Sequence, residues 1–149
     1  MLADFSPSHL DAAASLSVSV FNAPPWNDQW TPPTARQRLH DLLSTPGSAG
    51  MVLLEQDRPV AFALGHTEQW FVGRHFFLKE MCVLTSLRRS GHGTRLLQTL
   101  EQRLAGVEQV YLLTARGGPA HNFYESRGYR PAQRQGLMTK PLGMTTPAG

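Results

Sequence analysis

The chain has 149 residues, 41% of them hydrophobic and 17% charged, with 14 Lys and Arg against 11 Asp and Glu for a net charge of +3. That length suits one domain, expected over residues 1–142 with a frayed tail at 143–149; the apolar fraction excludes a disordered chain and the low charge a long solvated helix or coiled coil. No apolar run reaches the roughly 18 residues of a membrane span, the start carries Asp4 and Asp11 without a basic run, and the single cysteine, Cys82, forbids an internal disulfide. A soluble protein without a membrane partner is expected. The mild basicity is a weak signal for nucleic acid, so no such partner is expected, although arginines gathered between Arg88 and Arg134 suit a phosphate-bearing ligand.

Leu2 to Phe5 reads as a short edge strand. Ser6-Pro7-Ser8 offers capping hydroxyls, and Leu10, Ala13, Ala14, Leu16 and Val20 predict a helix over about Ser8 to Phe21. Asn22 to Trp30 is a loop with two prolines and two tryptophans. Thr31 before Pro32 and Pro33 starts a second helix, whose apolar stripe is Leu39, Leu42 and Leu43 and whose stop is Pro46-Gly47. Met51 to Leu54 and Val60 to Leu64 read as strands joined by a turn at Asp57-Arg58-Pro59. After a turn at Val72-Gly73-Arg74, Phe76 to Leu84 is a third. The period then changes to helical, with Leu96, Leu97, Leu100 and Leu104 on one face between Gly93 and Ala105. Val110 to Leu113 is a buried strand, Pro119 to Arg127 a short helix stopped by Gly128, and Tyr129 to Pro141 an extended stretch turning at Gln135-Gly136. The order β-α-α-β-β-β-α-β-α-β-β predicts a mixed α/β fold.

The segment Val83-Leu84-Thr85-Ser86-Leu87-Arg88-Arg89-Ser90-Gly91-His92-Gly93-Thr94 is a strand end, a glycine turn and a helix start. The free N–H groups of a first helical turn, helped by the helix dipole, make an anion site. Gly91 and Gly93 let the backbone approach a phosphate, and Arg88 and Arg89 add charge. A dinucleotide fingerprint needs a third glycine and a P-loop needs Gly-Lys-Ser/Thr; neither is present.

Arg88-x-x-Gly91-x-Gly93, five residues after a strand ending at Val83, resembles the acetyl-CoA signature Gln/Arg-x-x-Gly-x-Gly/Ala of the GCN5-related N-acetyltransferases. A second segment, Ala120 to Tyr129, resembles that family's Ala-x-x-x-Tyr-Glu-x-x-Gly-Phe through Tyr124, Glu125, Gly128 and Tyr129. The resemblance runs from about Met51 to Tyr129. It implies a GNAT-like acyl-CoA N-acyltransferase fold, a mostly antiparallel mixed sheet flanked by about four helices. It also implies direct acetyl transfer from acetyl-CoA to an amine, a small molecule or a peptide, without an acyl-enzyme. The cytoplasm, where the acyl donor is, would be its compartment, and homodimers are common with such a fold. A catalytically inactive acyl-CoA-binding sensor or regulatory module is the alternative.

The same resemblance distributes the roles. Cofactor binding falls to the backbone of Met81, Cys82 and Val83, where a strand N–H faces the developing oxyanion, and to Arg88, Arg89, Ser90, Gly91, His92, Gly93 and Thr94. Tyr124 matches the general acid for the leaving thiolate. Many relatives carry Asn seven residues before that tyrosine, where this chain has Gly117; Asn122 is the nearby candidate. Glu80 is the candidate base or the partner of a cationic amine. Lys79, His66 and His75 are alternatives, and the period of two in a strand sends Lys79 and Glu80 to opposite faces. Trp26, Trp30, Trp70 and Glu80 are candidates for acceptor binding, and Asp28, Glu55 and Glu68 are further carboxylates that could meet an amine. Cys82 beside no activating base reads as a core residue. The histidines lack metal-ligand spacing, so no metal is expected.

Overall fold

The computed structural model describes residues 1–143. The elements are β1 (Leu2–Asp4), α1 (Leu10–Phe21), α2 (Pro32–Leu43), β2 (Ser48–Glu55), β3 (Arg58–Gln69), β4 (Arg74–Val83), α3 (His92–Arg103), β5 (Val107–Leu112) and α4 (Pro119–Ser126). Contacts gather residues 1–113 into one compact unit and those from Thr114 onward into a second.

In the first unit the five strands lie in sequence order. The three junctions from β1 to β4 are antiparallel and β4–β5 is parallel. A parallel neighbour needs a crossover, and α3 supplies it. This is the expected mixed α+β sheet. The hairpin turn between β2 and β3 sits one residue earlier than expected: Gln56 (φ 50°) and Asp57 (φ 63°) are both left-handed, the backbone twist that two-residue hairpins favour. Thr31 caps α2 by accepting from the Thr34 N–H at 3.2 Å, and both prolines fall where a helix has no N–H to satisfy.

Each sheet face buries its own apolar set. On one, Val52, Phe62, Leu64 and Cys82 meet Phe5, Leu10, Ala13, Ala14 and Val20 of the α1 side and Ala35, Leu39 and Leu42 of α2. Met51, Leu53, Ala61, Ala63 and Leu78 alternate with that set on their strands and are buried on the other, where α3 crosses β2 and β3 with Leu96, Leu97 and Leu100 inward.

One irregularity governs the site. Leu64 pairs with Glu80, yet the next residue, Gly65, pairs with Leu78, so Lys79 is an extra residue in β4. Phe76 and Leu78 before it share a face with Met81 and Val83 after it, while Glu80 joins Cys82 on the α1–α2 face. The pairing of β4 with β5 ends at Leu78↔Leu112, so beyond it β4 is paired only with β3. Gly65 lies opposite this step, where an added Cβ would sit 2.1 Å from the Phe77 carbonyl oxygen.

In the second unit α4 starts on Pro119 after Gly118 and closes through Gly128 (φ 95°), with the Tyr129 N–H donating to the Tyr124 carbonyl at 3.0 Å. The strands expected over Tyr129 to Pro141 are corrected: no residue there is in a strand, and every side chain from Arg130 to Gly143 is exposed. Pro131 offers no N–H, and Leu137 and Met138, the apolar pair of the expected hairpin, are 68% and 93% exposed, so nothing is buried to support a ladder. Most of the expected tail, residues 144–149, lies outside the described residues.

Candidate active site

After β4 the chain makes a short 3-10 turn at Thr85–Leu87 and enters α3 through Gly91, which caps the helix in the left-handed region at φ 86°. The helix thus begins one residue before the expected Gly93. Arg89 is also left-handed, at φ 63°, a costly conformation for a side chain with a Cβ and one that clusters at functional loops. A Cβ placed on Gly91 would meet nothing within 4 Å, so the space over the first turn is open. The amides of His92, Gly93 and Thr94 have no intrahelical acceptor and point toward that end. Ser90 hydrogen-bonds the Leu87 carbonyl and the His92 Nδ1, and His92 Nε2 lies 3.3 Å from the Glu55 carboxylate, which fastens the loop to the end of β2. This cradle fits a phosphate diester: open space, free amides, a helix N-terminus and the exposed Arg89 beside it.

Arg88 turns from the loop toward the α1–α2 connection. Its guanidinium lies 4.8 Å from the Trp26 ring centroid, and its Nη2 is shut off from solvent without a hydrogen-bond partner. Trp26 in turn stands edge-on to Phe21 at 5.1 Å. Asn22, just past α1, clamps Trp30 twice, donating to its carbonyl at 2.9 Å and accepting its N–H at 2.8 Å. The Trp30 indole N–H then donates to Asp28 at 3.1 Å. So the tryptophan loop is pinned, and it carries a carboxylate.

Glu80 faces this loop. Its side chain is 15% exposed, and one carboxylate oxygen accepts from Arg38 of α2 at 3.1 Å and 3.3 Å. Burial pushes its pKa above the usual carboxylate range; Arg38 opposes that rise and the nearby Asp28 charge adds to it. Lys79 does not take the opposite direction: displaced at the extra position, it lays its ammonium 4.5 Å from the Phe77 ring centroid. Cys82, next on the Glu80 face, is buried, and desolvation, with the Glu80 charge second, raises its thiol pKa far above the ordinary value. That makes it an inert core residue, as its surroundings in sequence suggested.

The structure thus brings together Trp26, Trp30, Asp28, Glu80, Cys82 and Arg88. Trp70 is elsewhere: it lies in the β3–β4 turn, 47% exposed and stacked on His75 at 5.3 Å, roughly 20 Å along β4 from Glu80 at about 3.3 Å per residue. His66 and Glu68 pair at 3.7 Å farther along β3, and Glu68 also accepts from the Tyr111 hydroxyl. Within the second unit, Tyr124 sits on α4 between the rings of Phe123 (5.3 Å) and Tyr129 (5.6 Å), and Asn122 is exposed on the same helix. Arg38 was missed in the sequence. Its signal was helical phase, one position before Leu39 and three after Ala35, at the border of the buried stripe.

No curated protein matches the chain. Among solved structures, a probable acetyltransferase superposes with a TM-score of 0.78 at 23% identity, covering 97% of this chain and 99% of the other. An acetyltransferase of Trypanosoma brucei gives 0.69 at 20% identity, over 94% and 99%. An aminoglycoside N-acetyltransferase crystallised with CoA gives 0.73 at 15% identity, over 95% of each chain. These likenesses establish the fold. The model of the acetyltransferase (GNAT) family matches residues 16–129, a span that holds both the glycine cradle and the Glu80 corner, and the chain belongs to that family.

Proposed function

We propose that this protein is an acetyl-CoA-dependent N-acetyltransferase. The reading rests chiefly on one observation, the cradle at the start of α3: a left-handed Gly91 with open space over it, free first-turn amides and Arg89 beside them. Acetyl-CoA is the substrate that supplies the activated acyl group. The amides of His92, Gly93 and Thr94 would hold its pyrophosphate. Beyond Leu78, β4 has lost β5 as a neighbour, so an amide among Met81 to Val83 is free to donate to the thioester carbonyl as negative charge develops there.

The acceptor enters as an ammonium ion, and attack needs its neutral form. Glu80, with Asp28 beside it, attracts the cation, and its raised pKa makes it a better proton acceptor than an exposed carboxylate. The nitrogen then attacks the carbonyl carbon, the N–C bond forms and the C–S bond breaks. Two protons leave nitrogen, one from the ammonium before attack and one as the amide forms, each passing by way of Glu80 toward solvent, and one proton reaches sulfur. Tyr124 supplies the latter: a phenol is a weaker acid than a thiol, so it stabilises the departing thiolate chiefly as a strong hydrogen-bond donor, and completing the transfer is slightly uphill.

The Arg38–Glu80 pair supports a second reading, an acyl-CoA-binding module without turnover, because it engages the carboxylate the chemistry needs. Calorimetric titration with acetyl-CoA, joined to thiol release over a broad amine panel, separates them. Binding with turnover supports the enzyme, binding without turnover the module, and no binding removes both. In the enzyme, Tyr124→Phe should lower kcat about 10²-fold or more with acetyl-CoA affinity kept. Undiminished kcat would remove Tyr124 from the reaction.

A further inference from the structure

We propose that the acceptor is an amphoteric amine of the amino-acid class, its nitrogen held by Glu80 and Asp28 and its carboxylate by Arg38. The inference rests on the acetyltransferase reading and specifies what that site takes.

The corner is built from opposite charges placed side by side. Arg38 spends its Nε and one Nη nitrogen on a single oxygen of Glu80. A guanidinium has five N–H donors in a planar fork, and among the described residues Nη1 of Arg38 makes no hydrogen bond. Its side chain is 36% exposed, so the fork is open to a ligand. The other oxygen of Glu80 likewise has no hydrogen-bond partner among the described residues. An ion pair with one unused donor edge and one unused acceptor is complementary to a molecule whose ammonium and carboxylate are a carbon apart: the four charges alternate in sign around one ring. Arg recognises a carboxylate through that fork in a way a lysine cannot.

Charge balance points away from a polycation. The charged groups acting on Glu80 and Cys82 are Arg38, Lys79 and Arg88 against Asp28 and Glu80, three cations to two carboxylates. A second or third ammonium on an acceptor would face guanidinium, not carboxylate. An ammonium with its own carboxylate adds no net charge. Asp28 is fixed for this purpose by Trp30, which Asn22 clamps, and the rings of Trp26 and Trp30 provide apolar walls beside the charges.

The test is a panel of free amino acids, each assayed beside its decarboxylated amine, with spermidine as the polycation, by release of CoA thiol from acetyl-CoA. For the best acceptor, kcat/KM should favour the amino acid over its amine by about 10-fold or more, the worth of one charge-assisted carboxylate contact. Arg38→Met should bring that ratio close to one, and Arg38→Lys should keep part of it. The ratio matters because a merely structural Arg38, or one that only positions Glu80, would lower both members of a pair equally. Equal losses overturn the proposal. So does an amine that matches its amino acid in every pair, spermidine as best acceptor, or silence across the panel while acetyl-CoA binds. Thermal-shift titration of the cofactor-free protein with the same pairs reads the corner separately. Amino acids that stabilise where their amines do not support the substrate class, even if failure of acetyl-CoA to bind has overturned the acetyltransferase reading.

Discussion

Gly91 offers a clean perturbation because its backbone and its surroundings make different demands. At φ 86° it occupies a region that L side chains rarely adopt, yet a Cβ there would meet no atom within 4 Å. Gly91→Ala therefore introduces no collision, and its whole cost is conformational, about 1–2 kcal/mol. The loop can keep its shape and bear that cost, or relax and turn the first-turn amides of α3 away. Since phosphate binding requires the original shape, whatever strain the free loop sheds by relaxing is returned on binding, a loss of affinity of up to about 5–30-fold, and strain the loop keeps shows as lost folding stability instead. Asn tolerates the left-handed region better, so Gly91→Asn should retain more than the alanine variant. Gly91→Glu adds a carboxylate at a site selective for anions and should lose most, through charge, since the open space leaves little role for bulk. Gly91→Lys carries the same strain with the opposite sign and should bind better than the glutamate variant. Calorimetry with acetyl-CoA reads the affinities, and urea unfolding should show each variant within about 2 kcal/mol of the parent. If the alanine and glutamate variants bind as the parent does, the cradle is not the cofactor site.

Three further outcomes follow from the geometry. Gly65→Ala places a Cβ 2.1 Å from the Phe77 carbonyl oxygen and should cost about 3 kcal/mol in urea unfolding, the upper end of overpacking; a loss under about 1 kcal/mol would contradict the register around Lys79. For Glu80, burial holds the folded pKa above the ordinary carboxylate value of 4.5, so the folded state holds the proton more tightly than the unfolded one, and this group's stabilising contribution is present at low pH and lost as pH rises through the folded value. Glu80→Gln lacks that titration, so its stability relative to the parent should improve as pH rises above about 4.5; a relative decline would mean the Arg38 ion pair outweighs desolvation. Cys82 should resist iodoacetamide in the native protein and react on unfolding, followed by mass spectrometry, since burial holds the thiol protonated; rapid native alkylation would contradict its placement.

What the sequence made legible was local. The cradle could be read because a glycine turn and a helix start are decided within a few residues, and Gly91 and the α3 leucines carry both signals. Glu80 was found by its charge in an apolar strand, but its surroundings were not. Its partner Arg38 is 42 residues away, and the step at Lys79 belongs to pairing between β3 and β4 that no single strand discloses. The expectation that Lys79 and Glu80 face oppositely failed for that reason. β3 was read only to Leu64 because Gly65, His66, Thr67 and Glu68 interrupt the apolar run, yet the ladder carries on to Gln69. Tyr129 to Pro141 was overread: scattered apolar residues suggested strands without the alternation needed to bury a face.

The extra residue in β4 acts as a phase shift between two halves of one strand. Upstream, even-numbered Phe76 and Leu78 belong to the face of Ala61 and Ala63; downstream, even-numbered Glu80 and Cys82 belong to the face of Phe62 and Leu64. Loss of a single codon at Lys79 would leave Leu78 opposite Gly65 and Glu80 opposite Leu64 as direct neighbours, a regular strand in which every side chain keeps its face. What the extra residue supplies is therefore a local bend and added twist beside Glu80, not the choice of its face. Substitutions at Lys79 keep that bend, whereas a one-residue deletion straightens β4 and changes the angle at which Glu80 meets Arg38.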